Sequence, residues 1–252
     1  MAVVWQTSKQ GVNYQVRRAG NSVRLYTGGV FHSQWNASRP LAGHLWDVLF
    51  LPALFCSNAP RLDRVLVLGV GGGAVINALN HLLTVKHITG VDFDPLHLRI
   101  AKKHFLQNPK NVRLVECDAQ AFVVRDTNEF YDFIIEDLFC GAPDDSSEAI
   151  RPIAVDVEWL QALNEKLIAQ GVLAINFEDE AQMRRALRPK VYKAAGFQNR
   201  AFFRHPRYEN VIAVLFKGEG KNTKRFTENL QSLCAAFPTA ATRDLRYQLI
   251  NT

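Results

Sequence analysis

A strand that runs straight into clustered glycines, Val65-Leu66-Val67-Leu68-Gly69-Val70-Gly71-Gly72-Gly73-Ala74, constrains this chain more than any other segment. Four adjacent aliphatic residues without polar alternation fit a strand buried on both faces, as in a parallel sheet. The glycines tolerate positive φ and let backbone approach a ligand closely. The run Val75–Leu83 then opens a helix whose first N–H groups lack intrahelical partners. A strand–turn–helix unit of this kind can hold a polar or anionic ligand group at the helix start. The same residues also suit a purely structural turn, so the neighbouring segments must decide.

Those neighbours alternate. His87–Val91, Val112–Glu116, Phe133–Glu136 and Gly171–Phe177 read as further strands, with Pro95–Phe105 and Val157–Ala169 as helices. Strands separated by helices of this length argue for a parallel sheet covered on both faces. After a helix over Glu180–Ala195, the segments Asn199–Arg204 and Asn210–Lys217 flank His205-Pro206-Arg207-Tyr208. So short a link forces an antiparallel pair. The expected fold is therefore α/β, a doubly wound sheet of seven strands with an antiparallel C-terminal hairpin. A small β-rich segment precedes it, with strands over Asn13–Arg18, Ser22–Tyr26 and Val30–Trp35 and a helical stretch from Pro40 to Cys56. Ser57-Asn58-Ala59-Pro60 marks a boundary. Three parts result: 1–57, a ligand-binding domain over 58–220, and 221–252 with a helix near Lys224–Phe237 and a frayed tail.

Acids at the strand ends point to the ligand. Asp92 ends the second strand of the domain, 23 residues after Gly69, where a carboxylate can accept hydrogen bonds from ribose hydroxyls. Asp94 before Pro95 reads as a helix cap. Asp118, just past the third strand, fits either a cap or a partner for an adenine amino group. A dinucleotide site needs no acid there, so the set Gly69, Gly71, Gly73, Asp92 and Asp118 favours an adenosyl ligand. Such ligands bind at the carboxyl ends of the strands.

Charge is uneven along the chain. Residues 1–57 carry five Lys+Arg and one acid, 58–177 carry 11 and 16, and 178–252 carry 14 and seven. The proposed ligand domain is acidic and its flanks are basic. Eight Lys/Arg and no acid fall between Arg184 and Arg207; a solvated helix face and a charge-guarded edge strand is the favoured reading, and a nucleic-acid contact the lesser one. Trp35, Trp46 and Trp159 read as buried or interfacial. No apolar run approaches the roughly 20 residues that span a bilayer, the start lacks a signal-peptide layout, and no Cys-x-x-Cys spacing suggests zinc or a disulfide frame. A cytoplasmic protein without a membrane segment or metal is expected.

From about Tyr26 to Phe177 the sequence resembles the spermidine/spermine synthase family, within the class I S-adenosylmethionine-dependent methyltransferase fold. The residues that carry the likeness are Leu66-Val-Leu-Gly69-Val-Gly-Gly-Gly73, Gly90-Val-Asp92-Phe-Asp94, Val115-Glu-Cys-Asp118-Ala-Gln-Ala-Phe122 and Tyr131-Asp-Phe-Ile-Ile-Glu-Asp137. The resemblance implies binding of S-adenosylmethionine or its decarboxylated form, transfer to a small-molecule acceptor such as an amine, and a homodimer. It matches Asp137 to a catalytic acid facing the sulfonium and acceptor, His44 to a family histidine, and His32 to a family glutamine. Two departures stand out. Gly72 replaces the loop Asp that holds the donor's amine, and Cys140 replaces the Asp that deprotonates the attacking amine. Asp144 and Asp145 offer replacement charge, though a solvated loop is the favoured reading. Phe139 suits either an apolar acceptor pocket or core packing. Transfer from a sulfonium, of methyl or aminopropyl alike, mainly requires positioning and proton removal. Losing two carboxylates that grip a polyamine argues against that acceptor and not against transfer, so methyl transfer is favoured. A polyamine synthase with an altered acceptor site, a nucleoside-binding protein without catalysis, and a nucleic-acid methyltransferase using the basic C-terminal face are the alternatives.

Overall fold

A computed structural model describes every residue except 42, 107–108, 126–127, 142–148, 219–220, 238–244 and 252. Asp144 and Asp145 lie outside the described residues. The chain begins with an antiparallel sheet of β1 (Ala2–Lys9), β2 (Val12–Ala19), β3 (Ser22–Thr27) and β4 (Val30–Asn36), in that order. β1 goes unpredicted because Ala2-Val3-Val4-Trp5 lacks alternation; Val3 and Val4 are both exposed on this edge strand. A short helix follows, α1 (Leu45–Phe50), continued by a tighter 3-10 turn over Leu51–Phe55. Pro52 lies in the first turn of that segment and has no N–H to continue an α-ladder.

The main sheet is built from β5 (Arg61–Leu68), β6 (Thr84–Asp92), β7 (Val112–Glu116) and β8 (Tyr131–Glu136). A two-residue ladder, β9 (Cys140–Gly141) with β10 (Ala149–Ile150), stands apart from it. β11 (Leu167–Phe177), β12 (Asn199–Arg204), β13 (Val211–Phe216) and β14 (Gln248–Asn251) complete it. The strands lie in the order β14-β12-β13-β11-β8-β5-β6-β7. β11, β8, β5, β6 and β7 run parallel, while β13 is antiparallel to β11 and to β12. All seven expected strands are present. The tail read as frayed instead adds an eighth, β14 pairing antiparallel with β12 from Ala201 to Arg204.

The connecting helices are α2 (Ala74–Leu82), α3 (Pro95–Ile100, extended by a π-helical turn over Ala101–Phe105), α4 (Ala119–Val124) and α5 (Val157–Glu165). α6 (Glu180–Ala186) and α7 (Pro189–Ala194) replace the single helix expected over that region, because Pro189 starts a new helix rather than continuing the old one. α8 (Thr223–Ala236) follows β13. Side chains along the central strands feed two apolar layers alternately. Val65, Val67, Phe133 and Ile135 enter one, and Leu66, Leu68, Ile134 and Ile175 the other. Trp46 and Trp159 are buried, and Trp35 packs against the first layer. No helix among the described residues is long and apolar enough to cross a membrane.

The basic stretch folds partly onto itself. Arg184 and Arg204 both pair with Glu180, and both guanidinium groups lie over the Phe202 ring. Strand order places the site. From β5 the chain steps to β6 and β7 on one side and to β8 and β11 on the other, leaving a crevice at the carboxyl ends of β5 and β8, where ligands bind in such sheets.

Candidate functional site

The glycine turn after β5 is held by backbone geometry that only glycine suits at its first position. Gly69 has φ +86°, and a Cβ there would lie 2.1 Å from the carbonyl oxygen of Asp137. Gly71 sits at φ +50°. Gly73, at φ +82°, is the N-cap of α2, packs against Leu106, and does not line the cavity described below.

Asp92 fastens this turn. Its Oδ2 accepts from the N–H groups of Val70 and Gly71, each at 3.0 Å, and its Oδ1 accepts from the Asp94 N–H at 2.9 Å. Burial works to raise its pKa, but the hydrogen bond and charge of His97 and the amides of Asp94 and Gly71 outweigh that and hold it below the usual carboxylate range. The imidazole of His97 is fixed between sheets, with Nδ1 3.5 Å from Asp92 Oδ2 and Nε2 2.9 Å from the Thr27 hydroxyl. Burial opposes its charge, yet the hydrogen bond and charge of Asp92, with Asp94 behind, raise its pKa overall. Asp94 caps α3 as expected, accepting from Leu96 N–H, and takes a second bond from the Tyr14 hydroxyl at 2.7 Å. His32, its ring 5.1 Å from that of His97, is pushed down to about 4, first by burial and then by His97.

A cavity of about 710 Å³ opens over these groups. Gly69, Gly71, Asp92, Asp118, Gln120 and Asp137 are among its lining residues. Asp118 is exposed and caps α4, accepting from Ala121 N–H at 2.9 Å. Phe93 stands 61% exposed at the rim, an apolar surface beside Asp92 that sequence reading passed over. Phe31, Trp46, Leu138 and Phe139 and the turn Arg207–Asn210 also line the cavity. His44 braces that turn: Nδ1 is 3.4 Å from the Tyr208 hydroxyl, Nε2 contacts Gln34, and the Arg207 guanidinium donates to the carbonyl of Gly43. Burial, then the charge of Arg207, pushes His44 down to about 4.

Asp137 follows β8 and is held at its backbone by an N–H bond to Leu68 O. Its Oδ1 accepts from Asn176 Nδ2 at 2.7 Å. Burial raises its pKa to about 6, the Asn176 bond pulling down and the neighbouring Glu136 pushing further up. Glu136 is itself fully buried and balanced by Arg151 at 2.5 Å and by the indole N–H of Trp159 at 3.2 Å. Cys140 offers no base: burial raises its thiol, and Sγ lies 3.8 Å from the carbonyl of Ile150.

Position 72 is closed. Gly72 N–H donates to Ser33 Oγ at 2.7 Å, and a Cβ at 72 would meet Phe105 Cζ and Ser33 Cβ at 2.8 Å. Both obstacles come from elsewhere in the chain, Ser33 from β4 and Phe105 from the π-helical turn after α3. Restoring an acid by Gly72→Asp should therefore lower stability by about 1–3 kcal/mol through overpacking, read as a lower midpoint in thermal unfolding. An unchanged midpoint would show that the site opens freely.

Residues 65–157 match the family described as a methyltransferase domain. A polyamine aminopropyltransferase of Vibrio vulnificus is 33% identical over 120 residues, 46% of this chain. The chain spans only 38% of that relative's length. Among solved structures, a probable spermidine synthase from Corynebacterium glutamicum superposes with a TM-score of 0.71 at 16% identity, covering 100% of this chain and 91% of that one. Human methyltransferase-like protein 13, in complex with SAH, gives 0.61 at 18% identity, covering 77% and 91%. This chain has the class I S-adenosylmethionine-dependent methyltransferase fold and is similar to the spermidine synthases within it.

Proposed function

We propose that this chain transfers a methyl group from S-adenosylmethionine to a small acceptor, with Asp137 as the base. The closed position 72 carries the choice of donor. A decarboxylated donor ends in a cationic amine, and the carboxylate that would meet it has no room there. In this reading the loop at Gly69 and Gly71, with Gly73 setting the start of α2, receives the donor's amino-acid tail. Asp92 meets the ribose and Asp118 the adenine amino group. The acceptor's lone pair attacks the methyl carbon, the carbon–sulfur bonding pair returns to sulfur, and the acceptor's proton passes to Asp137 Oδ2. The product is neutral S-adenosylhomocysteine. Desolvation of the sulfonium between Phe31, Trp46 and Phe139 favours its loss of charge. β1, at the edge of the N-terminal sheet, suits pairing of two copies as a dimer.

Calorimetric titration tests the donor. S-Adenosylmethionine should bind more tightly than its decarboxylated form. Asp92→Ala should weaken it by roughly 10–100-fold, since hydrogen bonds to a charged acceptor are worth about 1.5–3 kcal/mol. No binding by the unmutated protein would defeat the proposal. Aminopropyl transfer is the second reading, favoured by the names of the polyamine aminopropyltransferase relatives. The by-product separates the two: S-adenosylhomocysteine for methyl transfer, methylthioadenosine for aminopropyl transfer.

A further inference from the structure

Three strand ends meet beside the cavity, and two amides there have no assigned purpose. Asn176, near the end of β11 and only 2% exposed, donates through Nδ2 to Asp137 Oδ1 at 2.7 Å. Its Oδ1 accepts from Asn210 Nδ2 at 3.1 Å. The strand register brings these together: Ile175 pairs with Glu136 on β8, and Asn176 pairs with Ile212 on β13. The direction of the chain is forced. An ionised carboxylate can only accept, so Asn176 must turn its NH₂ toward Asp137 and its carbonyl toward Asn210. Among the described residues, Asn210 is the donor that keeps the buried carbonyl satisfied. Without it, only the bond to Asp137 holds the Asn176 amide in this orientation.

We propose that Asn176 is a positioning residue for Asp137, with Asn210 fixing Asn176, so that Asp137 Oδ1 is committed to the protein and Oδ2 alone takes the acceptor's proton. This rests on the role of Asp137 proposed above. The arrangement matters because residue 140, a thiol, cannot share the task. A base held in a single orientation meets its proton without first searching rotamers. The other charges that act on Asp137 are Glu136, Arg151 and Asp92, while Glu178, Arg207 and Glu209 line the same cavity. None of these donates a hydrogen bond to Asp137 among the described residues. Asn176 is therefore the group whose removal should register on this carboxylate.

The test needs no acceptor. The Asp137 carboxyl carbon is followed by NMR from pH 4 to 9, assigned by its loss in Asp137→Asn, in the unmutated chain, in Asn176→Leu and in Asn210→Ala. S-Adenosylhomocysteine binding is measured calorimetrically on the same samples. Removing the amide donor from the charged form should raise the proton affinity of Asp137 about tenfold in Asn176→Leu, with a smaller rise in Asn210→Ala. Asn210 is only half-buried, in a turn, so its variant keeps the test readable if Asn176→Leu fails to fold. An unchanged Asp137 titration in the folded variants overturns the positioning role, even where S-adenosylhomocysteine still binds. Failure of the unmutated chain to bind S-adenosylhomocysteine overturns the donor reading instead, and the titration still decides whether Asn176 governs Asp137.

Discussion

Asp137→Asn should cut turnover by about 10²–10⁴-fold, the usual contribution of a positioned base, while S-adenosylhomocysteine affinity stays near that of the unmutated chain. The unmutated activity should rise with pH through about 6, where Asp137 ionises. Stability should move the other way. The folded carboxyl is raised from 3.8 to about 6, so between those limits the native state keeps a proton that the unfolded chain has released. Stability therefore falls as pH rises through that window. The full interval corresponds to at most about 3 kcal/mol at neutral pH, and less because Asp137 faces the cavity. Asp137→Asn, which has no such charge to bury, should unfold at a higher temperature than the parent at pH 7.5 and lose that advantage below about pH 4. An inactive variant more stable than its parent is the signature of a group kept for chemistry. Equal melting temperatures across this range would count against a raised Asp137.

Gly69→Ala should do the most damage to the fold. The left-handed backbone alone costs an alanine roughly 1–2 kcal/mol. Here the new methyl would also lie 2.1 Å from the Asp137 carbonyl oxygen and 2.8 Å from its carbon. Neither is the far end of a flexible side chain, so the ends of β5 and β8 must part. Overpacking adds about 1–3 kcal/mol. For a chain of this size the melting temperature should drop by about 5–15 °C, with loss of donor binding. Gly20→Ala is the control, at φ +54° with nothing within 4 Å of the added Cβ. It should show the backbone cost and nothing more. Equal drops in the two variants would remove the steric argument.

The parallel sheet was legible because burial on both faces leaves runs such as Val65–Leu68 and Phe133–Ile135, which no solvated element would carry. β7 and β12 keep their expected bounds. β14 was not legible: Gln248–Asn251 alternates too briefly to announce a strand, and only the free edge of β12 makes it one. The candidate site divides in the same way. Gly69, Gly71, Asp92, Asp118 and Asp137 come to one cavity because strand ends converge, and strand ends can be read from pattern. Asn176 and Asn210 cannot be read so, since their meaning comes from register across β8, β11 and β13. Asp92 shows a subtler gap. Its position suggests a ligand contact, but three backbone N–H groups already bind it, a task that no spacing rule reveals.

On the donor reading proposed above, the plug against Gly72 places control of the donor outside the glycine loop. Ser33 and Phe105 lie 39 residues before and 33 after it in sequence, yet they decide whether the loop can carry a side chain. Donor preference in such a chain can therefore drift without any change to the loop itself. Shrinking Phe105 and moving Ser33 would come first, and an acid at 72 only afterwards. The reverse order passes through an overpacked intermediate, so the history of such a site is directional.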